Sequence, residues 1–438
     1  MSISKAKQRR ARRAGLLLFA IVTLASLSAR AQLDLRARVS ETTGLTIDMS
    51  GAADGFAAIS PSAGLSFLGT RSLQHLGYTF SAFLYFRSFE SSTYSNTLDY
   101  LGGFAVSRDV RLLLGLSAAQ GRQGAISLTR DPSANQLSLL PRADVAFVSV
   151  AADEHLEWEI SDRWLAGQAT LFNAFLPYTS AEAVQGKSFV VDGDLLLRRR
   201  WTLDALGARP RARYVTNTAT SEIPSAPYLI LSAVAEWVHD ISESLSSHLN
   251  AGFVAGLRSD SAAARVYQPA GLAALHYARD TWQASATYSH DVRSDPLLNQ
   301  LYIEERFVAT GALPLDRKEH LRLSASLGYA FARRLDLQSG ALGDGMHLLL
   351  SDVGVAWDLW SYVSLSLRYQ LNGQLHVPVV GGGTTSDLTQ SVLLGVGVVY
   401  PGRDTRPRVP PGRPADRVNR DEWEQLFAPS PKPPAPVR

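Results

Sequence analysis

From Gln32 to Tyr400 apolar and polar residues alternate with a period of two, the pattern of strands rather than helices. Around Leu321 one face collects Leu321, Leu323, Ala325, Leu327, Tyr329 and Phe331, and the other Arg322, Ser324, Ser326, Gly328 and Ala330. Near Leu245 the split is Leu245, Leu249, Ala251, Phe253, Ala255 and Leu257 against Ser246, His248, Asn250, Gly252 and Arg258. Trp282, Ala284, Ala286 and Tyr288 oppose Gln283, Ser285, Thr287 and Ser289. Val363, Leu365, Leu367, Tyr369 and Leu371 oppose Tyr362, Ser364, Ser366, Arg368 and Gln370.

These stretches run mostly 12 to 16 residues, whereas strands of soluble domains usually hold about five or six. The polar face is rich in Gly and Ser as well as charge, which suits a crowded wet lumen. Tyr78, Trp164, Tyr178, Trp201, Tyr214, Trp237, Tyr288, Trp357 and Tyr400 fall toward strand ends, as interfacial girdles require. Short turns are expected near residues 70–71, 107–109, 161–163, 199–200, 240–243, 279–280, 314–318 and 360–361. Looser connections lie near 51–55, 88–94, 122–141, 179–187, 218–227, 259–265, 294–298, 334–345 and 378–386. Eight short and nine long connections join eighteen strands, with sixteen as the alternative count. The expected fold is all-β, a closed antiparallel transmembrane barrel over residues 32–400 in a bacterial outer membrane. Short turns belong on the periplasmic side and longer loops outside, so both termini are expected in the periplasm.

Both flanks read differently. Residues 1–31 carry six bases between Lys5 and Arg13, an apolar run from Ala14 to Leu27 and a closing Ala29-Arg30-Ala31, which together read as a cleaved signal peptide. Residues 401–438 hold ten of the 21 prolines and are expected to be a Pro-rich disordered periplasmic tail. Within it, Asp421 to Phe427 carries Trp423 and Phe427, either a docking peptide for a partner or two aromatics in a solvated linker.

Charge then removes one class of function. The chain has 43 Lys+Arg and 40 Asp+Glu, but the signal holds seven of the bases, and the tail eight bases and five acids. Residues 32–400 keep 28 bases and 35 acids, a net of −7, which does not suit nucleic acid. Without cysteine there is neither a disulfide nor a thiol nucleophile.

If the apolar set faces lipid, the other set lines a pore. Its bases include Arg87, Arg111, Arg198, Arg258, Arg306, Arg322 and Arg368, with Arg209, Arg211 and Arg213 as the densest stripe. Its acids include Asp153, Glu157, Glu159, Asp192, Asp194, Glu304, Asp352 and Asp358. So many charges require water or partners, since a dry unpaired charge is costly. They form either a charged path for cargo or pairs that hold the wall. Tyr85, Tyr302 and Tyr362 are candidate sugar contacts. Catalytic and metal sites are not expected, and no cofactor is implied: the nine histidines form no HxxH, HExxH or HxH pair. Ser289-His290-Asp291 resembles a triad only in the linear text, because successive strand residues point to opposite faces.

The opening segments SETTGLTIDMS, AAISPSAGLSFLGTR and LGYTFSAFLYFRSF resemble the start of porin-like outer-membrane barrels that accompany exopolysaccharide export, including myxobacterial ones. LLGVGVVY, ending at Tyr400, is similar to the C-terminal assembly signal of outer-membrane barrels, although 38 residues follow it. The resemblance implies translocation of a secreted polysaccharide and a short periplasmic polysaccharide-export protein as partner. A general diffusion porin for small hydrophilic solutes or oligosaccharides is the alternative, and an outer-membrane hydrolase the third.

Overall fold

The computed structural model describes residues 32–47, 53–69, 71–87, 92–123, 145–177, 187–218, 227–258, 265–279, 282–295, 300–316, 320–335, 342–360, 362–378 and 384–400. The expected signal peptide and Pro-rich tail, with Trp423 and Phe427, lie outside them.

The described residues form eighteen strands. The first six are β1 (Gln32–Ile47), β2 (Ala53–Leu68), β3 (Ser72–Tyr85), β4 (Thr93–Ala105), β5 (Val110–Gln123) and β6 (Val145–Ser161). The middle six are β7 (Trp164–Pro177), β8 (Ser188–Arg200), β9 (Asp204–Asn217), β10 (Tyr228–Ser242), β11 (Leu245–Arg258) and β12 (Arg265–Arg279). The last six are β13 (Trp282–Asp295), β14 (Gln300–Pro314), β15 (Leu321–Leu335), β16 (Leu342–Trp360), β17 (Val363–Pro378) and β18 (Thr384–Tyr400). Each pairs antiparallel with its sequence neighbour, and β18 pairs with β1 from Tyr400 opposite Ala37 to Gln390 opposite Ile47, which closes the barrel. Sixteen strands are therefore ruled out. Closure pairs β1 with β18, the two strands that would otherwise be the edges of an open sheet.

Eight connections of two to six residues close one end, here the turn end, and nine of four to 21 residues the other, the loop end. One turn is displaced from expectation: Arg199 and Arg200 still pair with Leu206 and Ala205, so the β8–β9 connection is 201–203. The outward set is apolar and exposed, for example Leu98, Leu195, Phe253, Leu275, Leu367 and Leu394. Exposed apolar surface encircling a closed barrel is unfavourable in water and favourable in lipid.

Seven of the eight tryptophans are exposed near the turn end: Trp158, Trp164, Trp201, Trp237, Trp282, Trp357 and Trp360. Indole carries an apolar body and one N–H, so a membrane interface suits it. Arg199 lies 5.7 Å from the ring centre of Trp164 and 5.0 Å from that of Trp201, which ties two strand ends together by cation–π contact. Tyr78 and Tyr288 differ from the expectation. They sit mid-strand, because an aromatic on the outward set packs against its neighbours at any depth.

Three prolines mark interruptions of the ladder. Between Ile59–Ala82 and Ser62–Thr79 the β2–β3 ladder skips, and Pro61 lies in the gap. The β8–β9 ladder skips between Asp194–Arg211 and Leu197–Ala208, around Pro210. The β12–β13 ladder ends at Gly271–His290, two residues from Pro269. A residue with no N–H cannot complete a ladder on both sides, so the backbone loosens there.

Candidate functional site

The inward set builds a polar wall whose charges meet across neighbouring strands. Alternation puts Asp192, Asp194 and Arg198 on the inner face of β8 and Arg209, Arg211 and Arg213 on that of β9, with Asp192 opposite Arg213 and Asp194 opposite Arg211. Asp192 takes both Arg211 and Arg213: Arg211 Nε donates to its Oδ1 at 2.8 Å and Arg213 Nε to its Oδ2 at 2.8 Å. Arg209 donates to Asp194 Oδ2 at 2.6 Å. On the next strands, Glu236 of β10 accepts from Arg198 at 2.7 Å and lies 2.7 Å from His248 Nε2 of β11. One band of ionic contacts thus runs over β8 to β11. Sequence reasoning put Asp192, Asp194 and the arginine stripe on the inward set; the bond partners came only with register.

A second band lies across β15 to β17. Arg322 donates to Asp358 at 2.7 Å, Arg368 to Asp352 Oδ1 at 3.0 Å, and Gln370 to Asp352 Oδ2 at 2.7 Å. Arg111 of β5 stands 3.9 Å from Glu157 and 4.0 Å from Glu159 of β6. Arg306 and Glu304, two apart on the inner face of β14, approach to 2.6 Å. Asp153 faces inward over Gly115, where a Cβ would sit 2.1 Å from its Oδ1, so only glycine leaves that carboxylate its place. Arg258 is on the inward set of β11, near the loop end.

Four candidate residues stand elsewhere than on an open wall. Arg87 follows β3 at the loop-end rim, where its N–H donates to Asp54 Oδ1 at 3.0 Å and its Nη1 to the Ala53 carbonyl at 3.0 Å. A bend after Tyr85 ends the alternation that would have carried it inward. Tyr362 lies in the turn between β16 and β17, stacked on Trp360 with ring centres 6.1 Å apart. Tyr85 and Tyr302 do face inward, but Tyr85 is packed with Phe56, Phe83 and Leu393, and Tyr302 with Ala330, Ala332, Met346 and Leu348. Their rings are covered by protein.

The outer face carries charges too. Glu305 faces outward in an unbroken ladder, opposite His290 and Phe331, so no bulge turns it aside; His290 Nδ1 lies 3.7 Å from its carboxylate. Glu154 is a second outward acid, exposed between Leu114 and Thr170, that sequence reasoning missed although strict alternation from Glu157 would have found it. Ser289 and Asp291 point inward and His290 outward, so the three do not meet as a triad. Among the described residues no three His, Asp or Glu side chains come together as a metal-ligating group.

A closed barrel with an apolar exterior and an ionic interior belongs in a membrane. The chain folds as a transmembrane β-barrel of eighteen strands. No protein-family model matches it, and no curated protein does. Among solved structures it is similar to OccAB3 of Acinetobacter baumannii, at a TM-score of 0.40 and 10% identity over 84% of this chain and 100% of that one. It is similar to OpdK of Pseudomonas aeruginosa, solved with vanillate, at 0.43 and 9% over 84% and 99%. A third similarity is to the alcaligin outer-membrane receptor FauA of Bordetella pertussis, at 0.42 and 12% over 85% and 77%.

Proposed function

We propose that this barrel is a pore for hydrophilic solutes, up to the size of oligosaccharides. One observation carries the reading. Charged pairs line the inner face of strands from β5 to β17, and the side chains of Arg211, Arg322 and Arg368 are 33%, 32% and 45% exposed on it, as a wall in contact with water requires. Eighteen strands leave room for an aqueous channel. Purified protein in planar lipid bilayers should give discrete conductance steps, and proteoliposomes should swell in small sugars. A bilayer that stays sealed at high protein load would sink the reading.

Export of a secreted polysaccharide, with a short periplasmic polysaccharide-export protein as partner, is the second reading and rests on the resemblance of the opening segments. The rings of Tyr85 and Tyr302, two of the expected sugar contacts, are covered by protein and offer no stacking face to a passing polymer, which favours small solutes over it. Deleting the gene and scoring surface polysaccharide separates the two. If export holds, both termini lie in the periplasm and Trp423 and Phe427 dock the partner. Removing residues 415–438 then leaves a conducting barrel and lowers surface polymer.

A further inference from the structure

Of the neighbouring strands, β12 and β13 part over the longest stretch at the loop end. The last β12–β13 pair is Gly271 with His290, although β12 begins at Arg265 and β13 runs to Asp295. Over that stretch β12 stays paired with β11, as far as Arg265 opposite Leu257, and β13 with β14, as far as Asp295 opposite Gln300. At the loop end the wall therefore splits into two flaps, each intact on its own side. Pro269 lies in the freed length of β12 and, lacking an N–H, leaves its ladders one donor short.

The flap that begins with β13 has come inward. Val292, Leu301, Ile303 and Leu335 belong to the outward sets of β13, β14 and β15, in register with one another. Farther down the same set, Phe307 and Tyr329 are exposed, as a lipid face should be. These four are between 1% and 4% exposed. They are buried in one cluster with Tyr228, Ile230, Val254 and Val266, which point inward from β10, β11 and β12. Outer face meets inner face. The loop end of β13–β15 thus overlaps β10–β12 from the lumen side, and Asp291 and Val292 line a small cavity with Val254, two strands away around the wall, and with Arg211 and Arg213, four strands away.

A second arrangement fits the same sequence. Continuing the β12–β13 register past Gly271–His290 would set Ala270 opposite Asp291 and Pro269 opposite Val292. It would also return Val292, Leu301, Ile303 and Leu335 to the outer belt. Those side chains are shielded from water either way, by protein in one arrangement and by lipid in the other, so burial favours neither strongly. We propose that this flap is the pore's gate: folded inward it narrows the lumen, and zipped to β12 it widens it, with Asp291 facing Arg211 and Arg213 at the constriction. The proposal rests on the pore reading for its consequence, but the movement itself is testable without transport.

The chain has no cysteine, so paired thiols report cleanly. Val254→Cys with Val292→Cys captures the inward flap, and Ala270→Cys with Asp291→Cys the zipped one. In outer-membrane vesicles treated with an oxidant or a short bis-thiol reagent, both pairs should cross-link, read as a gel mobility shift. In bilayers the Val254–Val292 cross-link should hold the pore at its lower conductance until reductant is added, and the Ala270–Asp291 cross-link at its higher. If the first double variant does not assemble, Ile230→Cys with Val292→Cys replaces it. Complete cross-linking of the inward pair with none of the other shows a fixed flap and overturns the proposal. So does a cross-linked inward form that conducts like its reduced form. Protein that conducts in no form defeats the pore reading instead, and the cross-links alone then decide whether the flap moves.

Discussion

Glu236 of β10 and His248 of β11 lie 2.7 Å apart on the lumen wall, with side chains only 1% and 6% exposed. The same carboxylate accepts from Arg198, so one buried acid holds cationic or polar partners from two other strands. A buried charge is tolerated only with such partners, and removing one member leaves the rest uncompensated. Glu236→Gln should therefore destabilise the barrel by roughly 3–5 kcal/mol. The measurement is the urea midpoint of unfolding by tryptophan fluorescence in detergent. An unchanged midpoint would mean water already screens this site.

Leu327 faces outward and is exposed, whereas Ser326 faces inward opposite Asp352. An arginine placed toward lipid at mid-membrane costs about 2–4 kcal/mol, and one placed in a wet lumen much less. Leu327→Arg should sharply reduce the heat-modifiable, folded band in outer membranes. Ser326→Arg should leave it nearly intact. Equal loss from both would undo the assignment of faces.

Single cysteines read the same assignment chemically. Phe253→Cys and Leu367→Cys should resist a water-soluble thiol reagent in intact membranes, since lipid covers them. Ser326→Cys and Arg368→Cys should react, the Arg368 side chain being 45% exposed. His248→Cys points inward but is buried under its neighbours, so it should react slowly. Rapid labelling of Phe253→Cys with protection of Arg368→Cys would reverse inside and outside.

Asp192 neutralises two guanidinium groups, Arg211 and Arg213. Asp192→Asn removes that charge and should shift the reversal potential in a salt gradient toward anion selectivity. Each hydrogen bond to a charged group contributes about 1.5–3 kcal/mol, so the variant should also unfold at lower urea. A reversal potential that does not move would place this band away from the ion path.

The barrel was legible because a strand's neighbouring side chains must point to opposite sides, so the sequence itself sorts Leu323, Phe253 and Leu367 from Ser326, His248 and Arg368. Turn residues marked seven of the eight short connections to within a few positions. The β8–β9 turn was misplaced because Arg199 and Arg200 look like turn residues yet complete the ladder. Arg87 and Tyr362 were misplaced because alternation was carried past the end of a strand, where a bend or turn removes its meaning. Strict alternation puts Glu305 on the outward set, but its neighbour there, His290, came only with strand register.

By itself the sequence determined the strands, their approximate ends and which residues share a face, all of which follow from local backbone geometry. Tertiary structure decided what those faces touch. Asp192 took two arginines because register set them on one neighbouring strand at bonding distance. Val292 alternates as a lipid-facing residue and yet is buried inside the lumen. Period-two patterning fixes the side of the sheet on which a side chain lies, but not where the sheet itself bends, and a ladder weakened near Pro269 let one flap bend inward.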